Sequence, residues 1–176
     1  MTAAGARIAI LLEDGFDDDE LEQILSRLKD AGLAPVLVAP VANRTYTGRH
    51  RRVSVTSDVT AASAGHLDSA AVLIPGGYAP DRIRMRHGML DLVRHAVAAG
   101  IPVGAIGHGA QVLISAAAIG RRTITCWPSI AVDVKNAGGS YVDRPVVEDR
   151  GVITARKADD VVAFTDAVFD AIRRSR

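Results

Sequence analysis

A few short loops hold the residues that could do chemistry. Glu13, Asp14, Asp17, Asp18, Asp19 and Glu20 form an acidic run at the start of a predicted helix. A carboxylate withdrawn from water has a raised pKa and can exchange a proton near neutrality. Pro75, Gly76, Gly77 and Tyr78 follow an apolar run, and Gly107, His108 and Gly109 close another, VGAIGHGAQVLISAAAIGRR. A strand that enters a tight Gly-His-Gly turn and continues into a helix has the form of a nucleophile elbow, with a strained apex. Backbone N–H groups at Gly76, Gly77 and at Gly107 to Gly109 would then form an oxyanion or anion site. His108 adds a titratable ring, and Tyr78 and Trp127 offer an aromatic wall.

Each of these features has a plainer alternative. Acidic residues at a helix start complement the macrodipole and cap free N–H groups. The run lacks the ligand spacing of a calcium loop and has no histidine beside it, so no metal site is expected. Arg44, Arg49, His50, Arg51 and Arg52 read as a solvated hairpin edge, where charge blocks strand pairing. Tyr46 alone interleaves them, which disfavours nucleic acid. Arg82, Arg84, Arg86 and His87 read as an exposed helix face or a subunit contact. Cys126, in TCWPSI, reads as a small buried hydrophobe, with a displaced thiol as the other possibility. Trp127 reads equally well as a packing residue.

The elements that must position these residues alternate. Arg7–Leu12, Pro35–Ala39, Ala70–Ile74 and Pro102–Ile106 are short apolar runs and predict buried strands. Asp18–Ala31, Met89–Ala99, His108–Ala118 and Ala158–Arg173 have helical spacing. This order implies βαβ units: an α/β three-layer sandwich with a mainly parallel central sheet, flavodoxin-like in topology. Chemistry then belongs at the carboxyl ends of the strands, where the three loops lie. Thr45–Thr56 and Val146–Thr154 resemble hairpins and are expected at sheet edges.

Composition bounds the function. The 176 residues, 48% hydrophobic and 23% charged, suit one globular domain over 1–176. The net charge of +1 lacks the basic excess of a non-specific nucleic-acid binder. One cysteine excludes an internal disulfide and a cysteine-rich metal site. Met1–Arg7 shows no signal-peptide pattern, and no stretch reaches the ~18 apolar residues of a membrane helix. A cytoplasmic protein is expected.

The phrase around Gly107 resembles the ThiJ/PfpI superfamily, in particular its intracellular-protease-like branch. Four further phrases agree in order: AILLEDGFDDDELEQILSRLKDAG, LIPGGYAPDRIR, TITCWPSIAVDVKNAGG and GVITARKADDVVAF. The resemblance implies a class I glutamine amidotransferase-like fold, no cofactor, and a homodimer or larger homo-oligomer. It places the reactive cysteine at the position of Gly107, where this chain has no side chain. It aligns the accompanying carboxylate with Asp17, retains the histidine as His108, and puts Asp81 in the role of an acid supplied by a neighbouring subunit.

Three functions stay open. One is thiol-free acid/base chemistry (a lyase, hydratase or isomerase step) on a small polarised molecule. Asp17 and His108 would be the catalytic groups, and Gly76, Gly77, Gly107, Gly109, Tyr78 and Trp127 would line the substrate. Another is a non-catalytic stress or small-molecule-binding protein. The last is an inactivated or engineered form of a cysteine-dependent peptidase, deglycase or glyoxalase.

Overall fold

A computed structural model describes residues 5–65 and 68–175. The first four residues of the Met1–Arg7 segment lie outside them. In chain order the elements are β1 (Arg7–Leu11), α1 (Asp18–Asp30), β2 (Ala34–Ala39), β3 (Thr45–Thr47), β4 (Ser54–Thr56), β5 (Val59–Thr60) and α2 (Ala61–Ala64). Then come β6 (Ser69–Ile74), α3 (Ala79–Ile83), α4 (His87–Ala98), β7 (Val103–Ile106), α5 (Ala110–Ser115) and β8 (Thr123–Ile124). The chain closes with α6 (Ala131–Asn136), β9 (Ser140–Tyr141), β10 (Val146–Asp149), β11 (Val152–Ala155) and α7 (Val161–Arg174).

Seven strands form the central sheet in the order β10-β11-β7-β6-β1-β2-β5. Every neighbouring pair is parallel except β10 with β11. α1 and α7 pack together on one face, and α2, α4 and α5 cover the other. The α/β architecture read from the alternation is the one observed. Ile8, Ala9, Ile10 and Leu73 are completely buried, because strands covered on both faces need apolar residues throughout. Each such Ile or Leu contributes about 2 kcal/mol of burial free energy.

α1 buries Leu21, Ile24 and Leu28 at helical spacing, and α7 buries Phe164, Val168 and Ile172. Glu20, four residues before Ile24, shares the buried side of α1.

Three expectations need correction. The helix expected over His108–Ala118 is shorter. It begins with a 3-10 turn at Gly107–Gly109 and α5 ends at Ser115. Ala117 takes φ +55°, and the N–H groups of Ala118 and Ala117 return to the carbonyls of Leu113 and Ile114. This left-handed helix stop normally uses glycine, so an alanine run concealed it. The Thr45–Thr56 hairpin pairs β3 with β4 in a separate two-stranded sheet, off the main sheet's edge. In the second hairpin only β10 lies at an edge, because β11 is held between β10 and β7.

Candidate functional site

β7 delivers the chain to Gly107 in the middle of the sheet. Gly107 takes φ +60°, a backbone that favours glycine, and the 3-10 turn leads directly into α5. The strained turn expected at this position is present. A side chain starting at Gly107 would put its Cβ 3.0 Å from Glu20 Oε1 and 3.7 Å from the Arg156 carbonyl oxygen. Glu20 is therefore the carboxyl that faces this position.

Glu20 is 4% exposed. The Gly76 N–H donates to its Oε2 at 2.6 Å, while Oε1 turns toward Gly107. Burial and the nearby Asp17 charge raise its pKa to about 8, against the opposing pull of the Gly76 N–H and Arg49. Glu20 is a neutral acid at pH 7.

Around this pair lies a cleft of about 330 Å³ lined by Asp17, Asp19, Glu20, Arg49, Gly77, Gly107, His108, Trp127 and Lys157–Asp159. The rings of His108 and Trp127 stack with centroids 6.0 Å apart and planes at 27°. The Trp127 backbone N–H donates to the Gly107 carbonyl at 3.2 Å, tying its loop to the turn. Burial and the charge of Arg49 lower the pKa of His108, so the ring is neutral at pH 7. Arg49 reaches in from the turn between β3 and β4, with Nη2 2.8 Å from Asp17 Oδ2.

That turn is fastened by Asp18. Its buried carboxylate accepts from the N–H groups of His50 at 2.8 Å and of Arg52 and Val53 at 2.9 Å. Gly48 packs so closely on the carboxylate that a side chain there would collide with it. Burial works to raise the pKa of Asp18, but the three donors outweigh it and hold the pKa below its ordinary value. The rest of the acidic run is engaged in a similar way: Asp14 accepts from Thr47 and Arg44, and Asp19 from Arg52.

The expected site residues are placed in different ways. Asp17 lines the cleft, but it does not occupy the place beside Gly107. It caps α1, accepting from the Glu20 N–H at 3.1 Å, and pairs with Arg49. The Gly76 N–H is committed to Glu20, which leaves Gly77 as the glycine of that turn lining the cleft. Gly109 presses on β6, where a side chain would strike the Ile74 carbonyl, so its role is packing. Tyr78 is 66% exposed and lies under the Arg49 guanidinium, 5.9 Å from it, rather than facing Trp127. Asp81 sits exposed on α3, outside the lining of its own chain's cleft, a position that does not bear on its expected role toward a neighbouring subunit. Cys126 is fully buried, and burial together with Asp133 pushes its thiol to about 12. It is an inert thiol at neutral pH.

The profile of the DJ-1/PfpI family matches residues 6–171. The chain belongs to the DJ-1/PfpI family. Relatives within it include the Escherichia coli protein named protein/nucleic acid deglycase 2, 36% identical over 90% of this chain and 92% of that one. Another is the Bacillus subtilis general stress protein 18, 35% identical over 91% of this chain and 94% of its own. A crystal structure from Anabaena variabilis, a two-domain protein with a DJ-1/ThiJ/PfpI-like and a ferritin-like domain, superposes with TM-score 0.89 at 33% identity. The match covers 94% of this chain and 47% of that one. Drosophila melanogaster DJ-1beta has the same fold, with TM-score 0.85 at 21% identity, over 97% of this chain and 95% of that one. Among the described residues, no helix of this DJ-1/PfpI chain is long and apolar enough to cross a membrane.

Glu20, Arg49 and Lys157 were missed as site residues. The signal for Glu20 was positional: four residues before Ile24, it falls on the buried side of α1. Arg49 and Lys157 gave no local signal, because each reaches the cleft from a distant loop.

Proposed function

We propose that this chain is a thiol-free DJ-1/PfpI enzyme that performs acid/base chemistry on a small carbonyl-type molecule, as a lyase, hydratase or isomerase. The observation that carries the reading is the neutral Glu20 carboxyl facing a side-chain-free Gly107 inside the cleft. The missing side chain leaves room for a substrate atom beside the acid. In a hydration step neutral His108 takes a proton from water as its oxygen bonds to the substrate carbon. Glu20 gives its proton to the oxygen whose π bond breaks, and the proton on His108 then returns to Glu20. The Gly77 amide and the amides of the Gly107 turn stabilise the developing oxyanion.

The assay is a panel of small aldehydes, ketones and their adducts, with turnover measured for the parent chain, Glu20→Gln and Gly107→Cys. Glu20→Gln should lose about 10²–10⁴ in rate with the fold intact. Near-normal turnover by that variant eliminates the mechanism.

A second reading, an inactivated cysteine-dependent enzyme, is favoured by the adjacency of Glu20 to position 107, although a Cβ there would lie 3.0 Å from Oε1 and the carboxyl would have to give by a few tenths of an ångström. It is also in keeping with the name deglycase carried by the Escherichia coli relative. It predicts that Gly107→Cys creates thiol-dependent turnover in a chain otherwise inactive. A chain that binds but converts none of the panel, as parent or as Gly107→Cys, is instead a non-catalytic binding protein, and a stress role is in keeping with the name general stress protein 18 of the Bacillus subtilis relative.

A further inference from the structure

Five arginines stand around the acidic entry to α1, and four have directed partners, Arg82 among them through the Asp14 carbonyl at 3.3 Å. Arg44 donates to Asp14 at 2.7 Å, Arg52 to both oxygens of Asp19 at 2.9 Å, and Arg86 to Glu13 at 3.4 Å. Arg49 differs. Its charge touches Asp17 at 2.8 Å, yet among the described residues no Arg49 side-chain N–H is directed at an acceptor. A guanidinium carries five donors in a planar fork, suited to holding a carboxylate through two parallel bonds. The root of the side chain is fixed: the Arg49 backbone N–H donates to the Phe16 carbonyl at 2.9 Å, and the next residue is held by Asp18. Its head is 32% exposed, lies against the Tyr78 ring and lines the same cleft as Glu20 and Gly107.

We infer that Arg49 anchors an anionic group of the substrate, and that the substrate is a small carbonyl compound bearing one carboxylate. This deepens the acid/base reading and rests on it. The charges select the class. Arg49 and Lys157 are the cations that line the cleft; Lys157 pairs with Asp159 at 2.7 Å and is a point charge, so Arg49 is the one that offers a planar fork. Arg49, Lys157 and Arg52 each already face one carboxylate, so the entry is close to charge-neutral and takes one added negative charge more readily than two. The second charge of a phosphate would stand among Asp17, Asp19 and Asp159. Neutral Glu20 does not repel the incoming anion.

The test is binding, read by fluorescence of Trp127, the single tryptophan of the chain, and by calorimetry. The probes are pyruvate, its uncharged methyl ester and inorganic phosphate. Pyruvate should bind more tightly than the ester or phosphate. Arg49→Gln should weaken pyruvate by about 10- to 100-fold, the range of a charge-assisted hydrogen bond, and leave the ester within about twofold. Arg49→Lys keeps the charge beside Asp17 without the fork, and should fall between. Equal losses for pyruvate and ester, no change for either, phosphate binding tighter than pyruvate, or no pyruvate binding at millimolar concentration each overturns the proposal. The acid/base reading fails separately, in the turnover of Glu20→Gln, where pyruvate binding should persist.

Discussion

The proton affinity of Glu20 is set by opposing influences within a few ångströms. Burial and the Asp17 charge favour the neutral acid, and the Gly76 N–H and Arg49 favour the anion. Burial leads, and the pKa rises to about 8. In the proposed mechanism Asp17 acts through Glu20, as a positioning and tuning residue. Asp17→Asn keeps the helix cap, since asparagine caps as well as aspartate. It removes the charge that raises Glu20 and releases Arg49. The expected outcome is a lower Glu20 pKa and an alkaline limb of activity moved to lower pH, with turnover at its optimum changed far less than by Glu20→Gln. A pH–rate profile measures both, and an unmoved limb would contradict the coupling. The sequence pointed to this loop and to Asp17, whereas the carboxyl that faces Gly107 is Glu20. Asp17 and Glu20 are three residues apart, and which of them reaches Gly107 depends on the helix beginning at Asp18. Asp17 thereby becomes the cap and Glu20 enters the buried side. The left-handed turn at Gly107 and the ring of His108 were legible because both are written locally, in GHG after a strand.

At the level of elements, the β3–β4 hairpin is what brings Arg49 to the cleft, and Asp18 is what holds the hairpin. Replacing the carboxylate with an amide, by Asp18→Asn, leaves one oxygen to accept and sets an NH2 group against a backbone donor. This should cost about 1–3 kcal/mol in stability, the range for losing charge-assisted bonds and leaving a buried N–H unpaired. Urea unfolding measures that cost, and hydrogen exchange should speed up at residues 48–53. Unchanged exchange there would show that Asp18 does not hold the turn. The strands and long helices of the sheet were readable from periodicity, because a strand buried on both faces and a helix buried on one carry distinct patterns. The hairpin's place was not readable. Its alternation specifies β structure, while its docking on α1 is written in one aspartate about thirty residues away in the chain. Asp18 itself looked like an ordinary first-turn acid.

For the whole molecule, the family resemblance proposes a homodimer, which light scattering at micromolar concentration should register. A lone 18.5 kDa species would refute it. Glu20 also leaves a signature in global stability. The unfolded chain carries an ordinary carboxyl, near 4.5, and the folded chain holds its proton up to about pH 8. Between those values the folded state binds more protons than the unfolded state, so stability must fall as pH rises, by up to about 1.4 kcal/mol per pH unit. The contribution is fully present below pH 4.5 and is lost as pH passes through 8. Glu20→Gln removes the titration and leaves every other group in place. The direct measurement is the unfolding free energy of the parent chain and of Glu20→Gln across this range. A neutral acid in the cleft predicts that the parent declines relative to the variant from pH 4.5 to 8 and runs parallel to it above. Parallel curves throughout would mean that Glu20 ionises like any exposed carboxylate, and would contradict the acid on which the proposed chemistry depends.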